Sequence, residues 1–173
     1  MKHLLLLRHA KSSWSDPALD DHERPLAGRG RRAAPLMGQA IAEMELIPRH
    51  VLCSTSVRTR QTLALAARHW PVALAVDYLA EIYHAGPDQL LRSVRRHGGI
   101  SDTLMLVGHQ PGLQAFALAL SGESERAARA RMEAKFPTAA LAVIEFEIDD
   151  WSDLGEGAGR LIRYLRPRDL ESR

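Results

Sequence analysis

The chain has a single cysteine, Cys53, among 173 residues. No internal disulfide can form, and a reducing compartment, the cytoplasm, is the expected location. Long apolar runs are missing as well. The longest early run is Leu4 to Leu7, too short for the core of a secretory signal or for a membrane span. Neither sign of charge dominates: 23 Lys and Arg face 21 Asp and Glu, a net charge of +2. That surplus gives no reason to expect a nucleic-acid partner.

Several catalytic signatures are also absent. There is no Gly-x-Ser-x-Gly of a serine hydrolase and no Gly-x4-Gly-Lys-Ser/Thr of a P-loop enzyme. A cysteine phosphatase needs an arginine six residues after its cysteine. Thr59 holds that position, with Arg58 and Arg60 on either side, so Cys53 reads as a buried strand residue. His22-Glu23 has no second histidine at the HExxH spacing, and no Cys-x2-Cys exists. Asp20-Asp21-His22 looks like one element of a metallophosphatase, but the companion Gly-Asp strings are missing. No metal is required, and activity is expected to survive chelation. Gly28 to Ala33 (GRGRRA) matches Gly-x-Gly-x-x-Ala but follows a loop instead of a strand. It reads as the entry to a helix, with Arg29, Arg31 and Arg32 on its solvated side and one of them near a pocket rim.

What is present is a globular balance, 46% hydrophobic and 25% charged, long enough to bury a core without staples. Residues 1–173 read as one domain. Residues 3–7 read as a buried strand and 8–28 as a loop. From Arg29 to Leu46 apolar residues recur at intervals of three and four, a helix face ended by Pro48. His50 to Cys53 is a second strand. Thr55 or Ser56 caps a helix through His69. Residues 72–79 form a third strand. Pro87 opens a helix that Gly98 and Gly99 stop near His97. Residues 103–107 form a fourth strand, followed by GHQPG and a helix to Leu120. The second half of 121–135 is helical, residues 140–148 and 160–166 are strands, and Asp149 to Gly159 is a loop. Alternating strands and helices imply an α/β fold, with helices on both faces of a mostly parallel sheet.

In such sheets ligands bind beyond the carboxyl ends of the strands. Arg8-His9 and Gly108-His109 both fall there. Arg58 follows the strand that ends at Cys53, early in the next helix, where an anion is favoured. Two arginines, two histidines and free amides suit a phosphoryl group. A neutral imidazole can attack phosphorus while arginines spread the charge on the equatorial oxygens. Glu81, just after the third strand, is the nearest candidate acid by topology, with a solvated loop carboxylate as the alternative. A binding module would keep the arginines but need no nucleophile; the histidine pair speaks for an enzyme.

These strings resemble the histidine phosphatase, or phosphoglycerate mutase-like, superfamily. LLRHAKS is similar to its Arg-His-Gly signature, with Ala10 in place of the glycine. CSTSVRTRQT and VGHQPG resemble its second and third motifs. Asp21 with RPLAGRG, and FPTAALAVIEF, resemble the compact SixA-type phosphohistidine phosphatases. The resemblance implies a three-layer sandwich, His9 as nucleophile, and Arg8, Arg58 and His109 as the rest of the phosphate pocket. By position it adds Gln110, Ser12 and Ser15 to the substrate-binding set and Leu79-Ala80-Glu81 as the acid's string. It implies no cofactor and a phosphorylated protein or small phosphorylated metabolite as partner. A mutase would need a cap, and little chain between Glu81 and His109 is left for one.

Overall fold

Four consecutive leucines make a strand here because both of its faces are covered. The computed structural model describes residues 1–171. Its strands are β1 (Lys2–Arg8), β2 (His50–Ser54), β3 (Ala75–Leu79), β4 (Thr103–Gly108), β5 (Leu141–Phe146) and β6 (Arg160–Leu165), in one sheet ordered β3-β2-β4-β1-β5-β6. Leu4 and Leu6 belong to one hydrophobic core and Leu5 and Leu7 to another, all without solvent exposure. β4 repeats the split, with Leu104 and Leu106 on one side and Met105 and Val107 on the other. A strand buried on both sides has no polar face to alternate with.

The helices are α1 (Gly28–Glu43), α2 (Val57–Ala66), α3 (Pro87–His97), α4 (Gly112–Leu120), α5 (Arg126–Ala134) and the short α6 (Pro167–Leu170). α3, α4 and α5 close the first core through Leu90, Val94, Phe116 and Met132. α1, α2 and α6 close the second through Met37, Ile41, Leu63 and Leu170. The result is the three-layer α/β sandwich. β1, β2, β3 and β4 run parallel, and β5 alone runs against both its neighbours. The carboxyl ends of β1, β2, β4 and β6 therefore share one rim with the amino end of β5.

Some boundaries differ from the periodicity. α1 does not run on to Pro48. Met44 caps it, and Glu45 turns into the left-handed region at φ 59°. Pro35 lies inside α1 without ending it. β3 begins at Ala75, later than its apolar letters imply, because it is an exposed edge strand. The loop after β5 holds a 3-10 turn, Trp151–Asp153. Trp151 is fully buried there, and its indole N–H donates to the Ser101 carbonyl at 2.8 Å. Among the described residues no helix is long and apolar enough to cross a membrane.

Candidate active site

The register of β1 against β4 pairs Arg8 with Gly108, so the next residue of each strand, His9 and His109, emerges side by side. The His9 N–H donates to the Gly108 carbonyl at 3.1 Å. The two imidazole centroids lie 5.4 Å apart, tilted by 52°. Both rings are buried.

His9 Nδ1 lies 2.7 Å from the Ala10 carbonyl oxygen. A carbonyl only accepts, so Nδ1 carries the proton and Nε2 keeps its lone pair. Burial, and then Arg58, Arg8 and Arg24, outweigh the bond to Ala10 and pull the His9 pKa down to about 4. The ring is therefore neutral at physiological pH and able to attack an electrophile. His109 has Nδ1 3.4 Å from Arg58 Nη2 and Nε2 2.7 Å from Ser54 Oγ. Because a guanidinium only donates, Nδ1 is the acceptor and Nε2–H donates to the serine. Burial, helped by His9, Arg58 and His84, pushes its pKa down to about 3. A dianion seated between the rings would reverse that balance, letting Nδ1 take a proton and donate to it.

Arg58 is placed by the start of α2. Ser56 caps the helix by accepting from the Thr59 N–H, and Arg58 follows two positions later, almost wholly buried. Its guanidinium donates to Asp21 twice, from Nη1 to the main-chain oxygen at 2.6 Å and from Nη2 to Oδ2 at 3.0 Å. Thr62 links this helix to β1: its hydroxyl accepts from the Ala10 N–H at 2.9 Å and donates to the Arg58 carbonyl at 2.7 Å. Arg8 donates from Nη1 to the Phe136 carbonyl at 2.9 Å. The Nε of Arg8 and of Arg58 are buried and have no protein partner among the described residues. A buried donor left unpaired costs about 1–3 kcal/mol. Two such donors flanking two neutral imidazoles suit an oxyanion.

Asp21 anchors the far side. The Tyr83 phenol donates to Oδ2, and Arg24 holds Oδ1 at 3.0 Å. With Arg58, these hold the carboxyl well below the usual carboxylate range. Asp21 is thus an ionised anchor that orients Arg58. Burial and Asp21 in turn push the Tyr83 phenol up. Tyr83 stands edge-on to His109 at 5.2 Å and stacks on His84 at 4.0 Å. His84 takes φ 59° and sets Nε2 3.5 Å from Asp21 Oδ2. Gly112 admits this segment: a Cβ there would fall 1.8 Å from the Ala85 carbonyl oxygen.

His9, His109 and Arg58 thus cluster at the strand ends, with Arg8 close enough to act on His9. The other expected residues do not join them in the same way. Glu81 is turned toward α3, 3.2 Å from Ser93 Oγ and 3.2 Å from His97 Nε2. The 3-10 turn Ala80–Ile82 directs it away while Tyr83 and His84 reach the cradle. Gln110 spends its carboxamide on Gln114. Ser15 pairs with Ser13 on the surface at 2.8 Å. Ser12 is buried in a main-chain bridge to Leu26. Sequence reasoning missed Ser54, Thr62, Tyr83 and His84 and gave Asp21 no role. Ser54 carried a signal, a hydroxyl at the very end of a buried strand. Cys53 is inert: burial pushes its thiol up to about 12.

The histidines make the fold acid-sensitive. Each binds a proton near pH 6.5 when unfolded but only near pH 4 or 3 when folded. Between those values the unfolded chain holds more protons, so stability is lost as pH falls. The expected loss from pH 7 to pH 4 is on the order of a few kcal/mol, measured as a falling urea midpoint. A His109→Asn protein should lose less over the same range; an equal loss would mean that His109 is charged in the folded state.

Compared with known proteins, the chain matches the histidine phosphatase superfamily (branch 1) over residues 4–140. It is 37% identical over 164 residues to the uncharacterized protein Rv1276c of Mycobacterium tuberculosis, covering 94% of this chain and 100% of the relative. The solved candidate phosphohistidine phosphatase SixA of Nakamurella multipartitia has 30% identity and a TM-score of 0.84, over 96% of each chain. Its counterpart from Agrobacterium tumefaciens has 31% identity and a TM-score of 0.80, over 96% of this chain and 98% of that one.

Proposed function

Because the chain belongs to the histidine phosphatase superfamily, in its SixA-type branch, we propose that this phosphatase removes phosphate from phosphohistidine on a partner protein. His9 Nε2 attacks phosphorus, and the bond from phosphorus to the substrate's imidazole nitrogen breaks. The electron pair goes to that nitrogen, which takes a proton from water. Water then attacks the phosphorylated His9, releasing inorganic phosphate and restoring the neutral ring. Arg8 and Arg58 hold the equatorial oxygens in both steps, and His109 donates through Nδ1 once the dianion has raised its proton affinity.

The observation that carries the substrate reading is the state of Glu81 and Asp21. Glu81 bonds to α3, and Asp21 is ionised between two arginines and a phenol. Neither is set to protonate an alkoxide, a poor leaving group. An imidazole needs less help, since its nitrogen titrates near neutral pH. The test compares kcat/KM for a phosphohistidine protein and for an alkyl phosphate ester. The protein substrate should win by about 10²-fold or more, the contribution a general acid ordinarily makes. Faster turnover of the ester would make this a small-molecule phosphatase.

The same geometry fixes the expected behaviour of Glu81→Gln. Its kcat/KM should stay within about twofold of the parent on either substrate. A drop of about 10²–10⁴ on the ester, the signature of a lost general acid, would return Glu81 to the reaction.

A further inference from the structure

Beyond the His9–His109 pair lies a cavity of about 210 Å³, lined by Lys11, Arg29, Lys135, Arg166 and Arg168, with Glu171 as the one acid among its described lining residues. Its position follows from the sheet. The loop before β5, the end of β6 and the segment after β1 all meet at the catalytic rim. Lys11 comes two residues after His9. The Ala139 N–H donates to the His9 carbonyl at 3.0 Å, and Arg8 bonds to the Phe136 carbonyl. The segment bearing Lys135 is thereby tied to the nucleophile and to its neighbouring arginine.

The cations are not there to satisfy acids of their own. Arg166 is committed to Asp169, with Nη2 2.8 Å from Oδ1. Lys11, Arg29, Lys135 and Arg168 are exposed and make no ion pair among the described residues. Arg29 sits in the first turn of α1, which holds no acid and has no side-chain cap. Gly30 lets that turn press against the chain at Lys11, where a Cβ would fall 2.3 Å from the Lys11 carbonyl oxygen. Four unpaired cations from four separate segments converge in a protein whose net charge is only +2. Gathering them raises their mutual repulsion, which an anionic ligand relieves.

We propose that this cleft binds an acidic segment of the substrate protein, next to the phosphorylated side chain that enters the His9 pocket. The proposal rests on the phosphoprotein reading above. A simple alkyl phosphate ester carries its charge on the phosphate alone and has no further charge to offer. A polypeptide with several carboxylates beside its phosphohistidine offers one to each free cation.

The experiment uses the full chain and its Lys135→Glu/Arg168→Glu double variant. Two phosphohistidine peptides serve as substrates, one flanked by glutamates and one by serines. The acidic peptide should have the lower KM, by roughly tenfold at low salt, and the advantage should shrink as salt screens it. The double variant should lose the advantage while keeping kcat and its turnover of a chromogenic phosphate ester. Binding of the unphosphorylated glutamate peptide, followed by fluorescence anisotropy, should disappear in the double variant as well. That readout needs no turnover. Binding of the glutamate peptide without hydrolysis of either phosphohistidine peptide would support the cleft and sink the substrate reading. Equal KM values for the two peptides, or an advantage that survives in the double variant, would overturn the cleft. So would a single-stranded oligonucleotide that displaces the glutamate peptide at equal charge, since it would make the cleft a nucleic-acid site.

Discussion

A His9→Ala protein should hydrolyse phosphate substrates more slowly than its parent by on the order of 10⁵–10⁶, the loss seen when an enzyme's nucleophile is deleted. The His9 ring lies within reach of both arginines, and its Nε2 keeps its lone pair. Its Nδ1 proton is fixed on the Ala10 carbonyl, and its depressed pKa keeps Nε2 bare at every pH above about 4. His109 cannot stand in for it, because its two nitrogens face Arg58 and Ser54. The wild type, quenched without acid, should carry phosphate on His9 that is stable to base and labile to acid. Free imidazole added to the variant should restore part of the activity by occupying the vacated space, which would show that the pocket survives. An active variant without imidazole would overturn the covalent route.

The second large effect is expected at Arg58. Arg58→Lys should lose about 10²–10³ in kcat, comparable to removing one oxyanion-hole donor, and nearly as much as Arg58→Ala. The guanidinium serves three directions at once. Nη1 and Nη2 hold the main chain and carboxylate of Asp21, Nη2 also faces His109, and the buried Nε has no protein partner among the described residues. A lysine ammonium is one point of charge and cannot bridge Asp21 while also presenting a donor to a phosphate oxygen. Steady-state kinetics on both lysine and alanine variants decide the matter. If the lysine protein stays within tenfold of wild type, Arg58 contributes bulk charge and its fork is incidental.

Much of the frame could be read from the letters. The run of leucines, the Gly98-Gly99 stop and the Pro87 start all mark elements that the structure contains, and α3 spans Pro87–His97. Residues that follow strands directly, such as His9 and His109, were legible because a parallel sheet brings strand ends together whatever the loops do. Glu81 turns toward α3 instead of the histidines for a reason of the same kind. Proximity in sequence places a residue at the rim but does not say where its side chain aims, and one tight turn exchanged Glu81 for Tyr83 and His84. Asp21 and its partners were harder still. Residues 21, 58 and 83 meet only because three connections fold over the same strand ends, and no periodicity records that. The basic cleft had a partial signal in GRGRRA, but Lys135 and Arg168 come from the far end of the chain.

The strand order also has a consequence for how the molecule comes into being. β1 is made first, yet its neighbours in the sheet are β4 and β5. At ordinary ribosomal speeds, the residues of β4 follow about 5–20 s later. During that interval four leucines with no partner strand are exposed to other nascent chains, and a chaperone that masks Leu4 to Leu7 would raise the yield. The paired histidines inherit the same delay. His9 and His109 become neighbours only when the central pairing of the sheet closes, so phosphatase activity during synthesis should report completion of the whole core, and no shorter nascent chain should show it.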